Sequence, residues 1–270
     1  MPPFITFLSD YGHGDDFVGV CHAVVAKIAP DARVIDITHG VERHDVRTGA
    51  MVLRNTLPFA PAGVHLAVVD PGVGAERRAV AVRCAEEDRV LVGPDNGLLS
   101  LAWQAFGGPV DAVEIGRSPW RLEPVSATFH GRDIFAPVAA RLAGGGALAE
   151  AGEPLDVDEL VTLDVPRPRV EDDALVVHVV GIDRFGNLIL DAVHDDLPGT
   201  GLRLGQPVEL DLGDGDVVKA VFAVTFADVP AGGVILYEDA YRSLALAVNR
   251  GDAGLDLDLR RDHEIRIRPA

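Results

Sequence analysis

Cysteine is scarce in this chain of 270 residues, which has only Cys21 and Cys84. Neither falls in a CxxC spacing, so the sequence offers no thiolate metal site and no redox dithiol. Both lie in apolar runs and read as inert core thiols, which suits a reducing compartment. Positive charge is also short. The 24 Lys and Arg face 42 Asp and Glu, for a formal net charge of -18. A polyanion would be repelled, so nucleic acid is not expected as a partner, whereas a cationic small molecule is mildly favoured. No apolar run approaches the length of a membrane span. The opening residues MPPFITFLSD lack the basic flank and long apolar core of a signal peptide, so a cytoplasmic location with no membrane partner is expected. The phosphate loop GxxxxGK[ST], the GxSxG elbow and HExxH are all missing. Gly72-Val73-Gly74 is too short for a dinucleotide fingerprint. His13, His39, His44 and His65 are scattered, and they read as uncoordinated loop or core residues; no metal is expected.

What is present is a globular composition, 48% apolar, with room for one large or two modest cores. Up to residue 163, short apolar runs alternate with helical patterns. Strands are expected at Phe4–Leu8, Arg33–Thr38, Val64–Val69, Ala79–Cys84, Arg89–Val92 and Val110–Ile115. Helices are expected at Phe17–Ile28, about Asp45–Leu57, Leu98–Phe106 and Ile134 to about Leu142. This alternation predicts a three-layer α/β N-terminal domain. Two prolines make Asp164–Arg169 a linker. The remainder, 164–270, reads as short strands with Gly-rich turns: Ala174–Ile182, Asn187–Ala192, Val208–Leu212, Val217–Phe226, Gly233–Tyr237, Leu244–Asn249 and His263–Arg268. That pattern predicts a C-terminal all-β domain, a small barrel or sandwich. Leu255–Leu259 fits either strand or loop.

Three loops at strand ends or helix starts carry polar side chains suited to chemistry. They hold Asp10 with Asp15 and Asp16, Asp70 with Arg77 and Arg78, and His130. Taken singly, each has an ordinary explanation: a helix cap, a turn acid with solvated arginines, a loop histidine. Together, an acid at a strand end suits the vicinal hydroxyls of a ribose. An acid, an arginine and a histidine could hold and polarise one water.

The segments LSDYGHGDDFVG, DITHGVERHDV, VVDPGVGAERR, GPDNG, TFHGRDIFAPVAA and IDRFGN occur in an order and spacing similar to those of the S-adenosyl-L-methionine hydroxide adenosyltransferase family. The resemblance covers Phe4 to about Arg268. It implies an α/β domain with a C-terminal β-barrel, assembled as a homotrimer with active sites between subunits. The implied reaction is hydrolysis of S-adenosyl-L-methionine to adenosine and L-methionine, with no cofactor. Asp70, Arg77 and His130 match the family's hydrolytic set. Asp10 resembles the ribose-binding acid, with Asp15 and Asp16 in its loop. Asp183 resembles the acid that pairs with the methionine ammonium, Phe185 and Asn187 lie at the adenine position, and Phe226 is placed to stack on it. Backbone groups near Val248 and Arg250 would read the adenine edge. The halogenases of the family carry a tyrosine in place of Asp70 and a halide-binding serine in place of Gly131, so halide transfer is disfavoured here. Asp239-Ala240, followed by Tyr241, replaces the usual Asn-Ser. That leaves the methionine carboxylate to backbone N–H groups or a neighbouring side chain, and keeps a non-catalytic adenosine or S-adenosyl-L-methionine binder as an alternative.

Overall fold

The computed structural model describes residues 3–213 and 215–270. The chain divides into two compact units, 1–163 and 164–270.

The first unit contains, in order, β1 (Phe4–Ser9), α1 (Phe17–Ile28), β2 (Arg33–Thr38), α2 (Val46–Thr56), β3 (Val64–Val68), β4 (Ala79–Cys84), β5 (Val90–Pro94), α3 (Ser100–Ala105), β6 (Pro109–Glu114), α4 (Ala136–Ala143), α5 (Leu148–Ala151) and β7 (Glu153–Leu155). Its sheet runs β2-β1-β3-β5-β4-β6-β7. The two faces of the central strands are both apolar. Ile5, Phe7, Leu66, Val68 and Ala81 pack toward α1 and α4, while Ala67, Val69, Val80 and Leu91 pack toward α2 and α3. Helices on both faces explain why these strands read as continuous apolar runs.

β3 pairs with β5 in parallel, and β4 runs antiparallel to β5. The turn after β3 therefore returns not beside its own strand but one place further out. β5 extends through Gly93 and Pro94, beyond the expected stop at Val92. A Cβ at Gly93 would lie 2.3 Å from the Ala67 carbonyl, so glycine permits the close approach of the two strands. α3 is shorter than its apolar pattern, because Gly97 at φ +92 delays the helix start.

The second unit contains β8 (Arg169–Glu171), β9 (Ala174–Ile182), β10 (Leu188–Val193), β11 (Pro207–Asp211), β12 (Val217–Phe222), β13 (Val234–Glu238), β14 (Ser243–Val248), α6 (Ala253–Asp256) and β15 (Glu264–Pro269). The order β10-β14-β13-β12-β11-β15-β9 closes through a β9–β10 pairing, and β8 adds to the outside of β9. This is a seven-stranded barrel, and closure leaves none of those seven an open edge. Its inward side chains, among them Val177, Leu188, Leu210, Leu236, Leu246 and Ile267, form one core. β12 stops at Phe222, four residues short of expectation. The Asp228 carboxylate caps the backbone N–H groups of Val224 and Thr225 and turns Phe226–Asp228 into a tight helical turn. Leu255–Leu259 is neither strand nor plain loop: α6 covers its first half, capped by Asp252, which accepts the Leu255 N–H at 2.9 Å.

One polar network lies inside the first core. His65 is fully buried, with Nδ1 2.9 Å from Thr6 Oγ1 and Nε2 3.1 Å from Arg89 Nη1. A guanidinium only donates, so Nε2 accepts and Nδ1–H donates to the threonine. Burial, then the Arg89 charge, lowers the His65 pKa to about 3. The folded state thus refuses a proton that the unfolded chain accepts near the ordinary value of about 6.5. Stability conferred by neutral His65 is complete above that value. It declines as pH falls from about 6.5 toward 3, by up to about 1.4 kcal/mol per pH unit. Denaturant titrations across pH 7 to 4 should show this slope, and it should be reduced in His65→Gln; an identical slope in that variant would assign acid lability elsewhere.

Candidate active site

β1 and β3 are parallel neighbours, and each delivers an acid at its C-terminal end. Strand ends of this kind open into crevices because the covering helices have already turned away. Asp10 follows β1, and Asp70 follows Val69. The Asp10 N–H donates to the Val68 carbonyl at 3.3 Å, which ties the two ends together. Asn96 fastens the second end: its Nδ2 donates to the Val69 carbonyl at 2.9 Å, and its Oδ1 accepts the Leu98 N–H at 3.1 Å.

The turn after Asp70 brings Arg77 back onto it. Arg77 Nε donates to both Asp70 oxygens, at 2.9 and 3.0 Å, and Nη2 makes a closer contact with Oδ2. Nη2 also lies 2.9 Å from His130 Nδ1. The three residues, far apart in sequence, form one connected group. The Asp70 and Arg77 side chains are only 6% and 11% exposed. The guanidinium stands over the Phe135 ring, with Cζ 5.2 Å from its centroid. Burial and the neighbouring Arg77 charge hold the His130 pKa below the usual histidine value, against the opposite pull of Asp70 and Asp133. The ring is therefore neutral at pH 7. Since Nδ1 accepts from Arg77, its proton sits on Nε2.

Local backbone chemistry sets this convergence. Gly74 has φ +77, and a Cβ there would lie 2.4 Å from the Ala127 carbonyl, so the Asp70–Arg77 turn rests directly on the loop that leads to His130. That loop is braced by buried Asp133, which accepts the Ser126 N–H at 2.8 Å and the Arg132 Nε–H at 2.6 Å. After His130 the chain makes a wide π-type turn, Gly131–Phe135, with the Ala136 N–H reaching the Gly131 carbonyl. Such turns redirect side chains and recur at functional sites.

Tyr11 is the neighbour that sequence reasoning missed. Its ring packs against Phe17 and Phe129, at centroid distances of 5.7 and 5.9 Å. Its hydroxyl lies over Gly131, where an added Cβ would come within 2.1 Å of Oη. Burial raises its pKa well above the usual phenol value, with further upward push from Cys21, Asp10 and Asp70, so the hydroxyl keeps its proton. The available signal was a single large ring in a loop otherwise made of acids and glycines. Arg78 departs from the solvated reading: it turns away from Arg77 and pairs with Asp95 and Glu159, at 2.8 and 2.9 Å.

Asp10 keeps its place beside this group and accepts the His44 N–H at 3.0 Å. Asp15 and Asp16 stand exposed ahead of α1. Among the described residues they make no hydrogen bond or ion pair with Asp70, Arg77 or His130.

In the barrel unit, Asp183 organises the β9–β10 turn. Its carboxylate accepts the N–H groups of Phe185 and Asn187 at 2.8 and 3.0 Å, and Asn187 Nδ2 at 2.7 Å. Phe185 is left 68% exposed. Phe226 is half-exposed, edge-on to Tyr237 at 5.1 Å. Burial, Asp183 and Asp239 push the Tyr237 pKa up to about 12. Ala240 and Tyr241 sit at one end of the β13–β14 hairpin, and Val248 and Arg250 at the other. By strand rise the two ends are roughly 15–20 Å apart, so only an extended ligand could meet both. Asp239 Oδ1 accepts the N–H groups of Tyr241 and Ser243, at 2.8 and 2.9 Å. Those two donors are therefore already engaged, which narrows the backbone groups open to a ligand carboxylate.

The fold and this geometry define a two-domain protein, α/β followed by β-barrel, with an Asp–Arg–His group at the strand ends of the first domain. Residues 5–152 match the family described as SAM hydroxide adenosyltransferase N-terminal domain, and residues 177–266 match its C-terminal domain. The chain belongs to the SAM hydroxide adenosyltransferase family. It is 46% identical over 268 residues to an (R)-S-adenosyl-L-methionine hydrolase of Salinispora arenicola, covering 98% of this chain and 97% of that one. A fluorinase of Actinopolyspora mzabensis is 29% identical over 293 residues, covering 98% of this chain and 97% of its own. A crystal structure of a conserved Thermotoga maritima protein superposes with a TM-score of 0.90 at 37% identity, covering 98% of this chain and 99% of that one. No helix among the described residues is long and apolar enough to cross a membrane.

Proposed function

We propose that the protein hydrolyses S-adenosyl-L-methionine to adenosine and L-methionine. The observation that carries this reading is the joined Asp70–Arg77–His130 group, its Arg77 bonded to the other two at 2.9 Å. The hydrolase named among its relatives, alike over nearly the whole chain, supports the same reaction. Sulfur leaves S-adenosyl-L-methionine as a neutral thioether and needs no acid. The remaining task is to hold one water in line with the ribose C5′, and positioning of that kind is a large source of rate.

The tautomer argued above divides the labour. His130 presents Nε2–H and acts as a donor that fixes the water oxygen. It has no free lone pair while Nδ1 accepts from Arg77, so it is not the base. Asp70 receives the water proton as the O–C5′ bond forms and the C5′–S electron pair withdraws to sulfur. Arg77 holds the carboxylate and the imidazole in register. Asp10 binds the ribose hydroxyls. The barrel residues Asp183, Phe185, Asn187, Phe226, Ala240, Tyr241, Val248 and Arg250 take the methionine and adenine ends. Asp15 and Asp16 contribute negative potential toward the sulfonium. Completion of the pocket by the barrel of another copy, in a homotrimer, belongs to the same proposal; a fully active monomer in light scattering would remove it.

Purified protein incubated with S-adenosyl-L-methionine should yield adenosine and methionine in equal amounts by chromatography. Oxygen from labelled water should appear in the adenosine 5′-hydroxyl. Absence of adenosine, with tight binding by calorimetry, would instead select a non-catalytic binder. A chloride-dependent 5′-chloro product would select a halogenase. The rate should be level around neutral pH and fall on the acid side, where His130 takes a second proton and can no longer accept from Arg77. A rate that rises on acidification would contradict this assignment.

A further inference from the structure

The residues His22, Asp36 and His39 lie outside this group and have no part in the proposed reaction. His22 projects from the middle of α1, Asp36 from β2, and His39 from the turn that follows β2. His22 Nε2 is 2.9 Å from Asp36 Oδ1, and His39 Nε2 is 3.1 Å from the same oxygen. All three donor atoms lie within 4.8 Å of one another.

His39 carries the argument. Its side chain is fully buried, yet Nε2 has no hydrogen-bond partner among the described residues. The Asp36 oxygen, 3.1 Å away, is within ion-pair range but does not complete a hydrogen bond with it. An orphaned buried ring nitrogen is costly and calls for a partner. The other nitrogen, Nδ1, is 2.7 Å from Ser9 Oγ. If Nδ1 holds the proton and donates it to the serine, Nε2 presents a bare lone pair toward the cluster. A buried imidazole fixed by an outer hydrogen bond on its far nitrogen is the usual arrangement of a metal-ligating histidine.

The geometry points to a divalent transition-metal site of two imidazoles and one carboxylate, with Zn²⁺ as its best occupant. Zinc takes imidazole nitrogen and carboxylate oxygen at about 2.0–2.2 Å, so tetrahedral ligands stand about 3.3 Å apart. The two separations from Asp36 Oδ1, 2.9 and 3.1 Å, fall a few tenths of an ångström inside that edge. Imidazole and carboxylate donors suit zinc, whereas calcium and magnesium prefer oxygen alone. His22 and Asp36 are partly exposed, which opens a route from solvent to the buried nitrogen. The His13 ring stands edge-on to His39, with ring centroids 5.4 Å apart.

Such an ion would tie α1 to the edge strand β2. It would also stiffen the approach to Asp10, because Ser9 immediately precedes that residue and the Gly12 N–H donates to the His39 carbonyl at 2.7 Å. The spacing of these residues along the chain matches no metal motif, which is why no metal was expected from the sequence.

The test uses the full-length chain without an affinity tag, stripped with chelator and titrated with ZnCl₂ by calorimetry. One ion per chain is expected. Co²⁺ in its place should give the visible d–d absorption of a site with nitrogen and oxygen ligands. His22→Ala and Asp36→Asn, both at partly exposed positions that tolerate change, should each weaken Zn²⁺ binding about tenfold or more. Saturating Zn²⁺ should raise the melting temperature of the parent chain and leave that of both variants nearly unmoved. No saturable binding to the parent, or unchanged affinity in either variant, would overturn the proposal. Neither outcome decides the proposed hydrolysis, because none of the three side chains is bonded to Asp70, Arg77 or His130 among the described residues.

Discussion

Replacement of Asp70 by alanine is expected to lower turnover of S-adenosyl-L-methionine by about 10³-fold, since removal of a positioned proton acceptor typically costs 10²–10⁴. The carboxylate is nearly buried and holds Arg77 through two Nε contacts at 2.9 and 3.0 Å. Its loss removes both the group that takes the water proton and the anchor that keeps Arg77 on His130. The loss also leaves a desolvated guanidinium without its counter-charge, so stability should fall, with about 3–5 kcal/mol as the upper range for breaking a buried pair. Asp70→Asn keeps the shape and one acceptor oxygen, and separates the two effects. It should lose less stability than the alanine variant, because one oxygen still accepts from Arg77 although the counter-charge is gone, and it should remain at least about 10²-fold slow. Adenosine affinity, measured by calorimetry, should change little in either variant. Turnover within tenfold of the parent in both would take Asp70 out of the chemistry.

Gly131→Ser is expected to disable the enzyme without conferring halide transfer. Any side chain at 131 meets Tyr11 Oη at a Cβ distance of 2.1 Å, far inside contact. The tyrosine ring is held between Phe17 and Phe129 and cannot simply swing aside. Overpacking of this kind costs about 1–3 kcal/mol. The strain falls on the residue next to His130, so turnover should drop by about 10-fold or more at that cost. Asp70 and the protonated Tyr11 would still face the site, and a carboxylate repels an anion. Pairing Gly131→Ser with Tyr11→Ala should recover most of the lost stability, because the two positions share one volume and their effects cannot add. A stable, fully active Gly131→Ser single variant would show that Tyr11 does not occupy this space.

The elements whose signal was local were legible before any coordinates. β3 reads from an apolar run buried on both faces, α1 from its spacing of Val18, Cys21, Val25 and Ile28, and the barrel strands from short runs between Gly-rich turns. Where the expectations missed, a non-local contact had intervened. β5 ran on through Gly93 because it needed to approach Ala67. The strand ending at Phe222 was cut short by the Asp228 cap. Arg169, expected in the linker, starts β8 by pairing with Val176 of β9. Arg77 and Arg78 are adjacent and chemically identical, and nothing in the chain's order says that one meets Asp70 and the other Asp95.

By itself the sequence determined the succession of an α/β half and a β half, the acids at strand exits, and the family to which those motifs belong. Periodicity, turn chemistry and motif order are written along the chain and need no third dimension. Tertiary structure alone decided that Arg77 joins Asp70 to His130, that Tyr11 fills the space above Gly131, and that His22, Asp36 and His39 share one point. Each of these is a meeting of side chains whose separation along the chain says nothing of their separation in space. Sheet order and glycine-permitted close approaches bring them together.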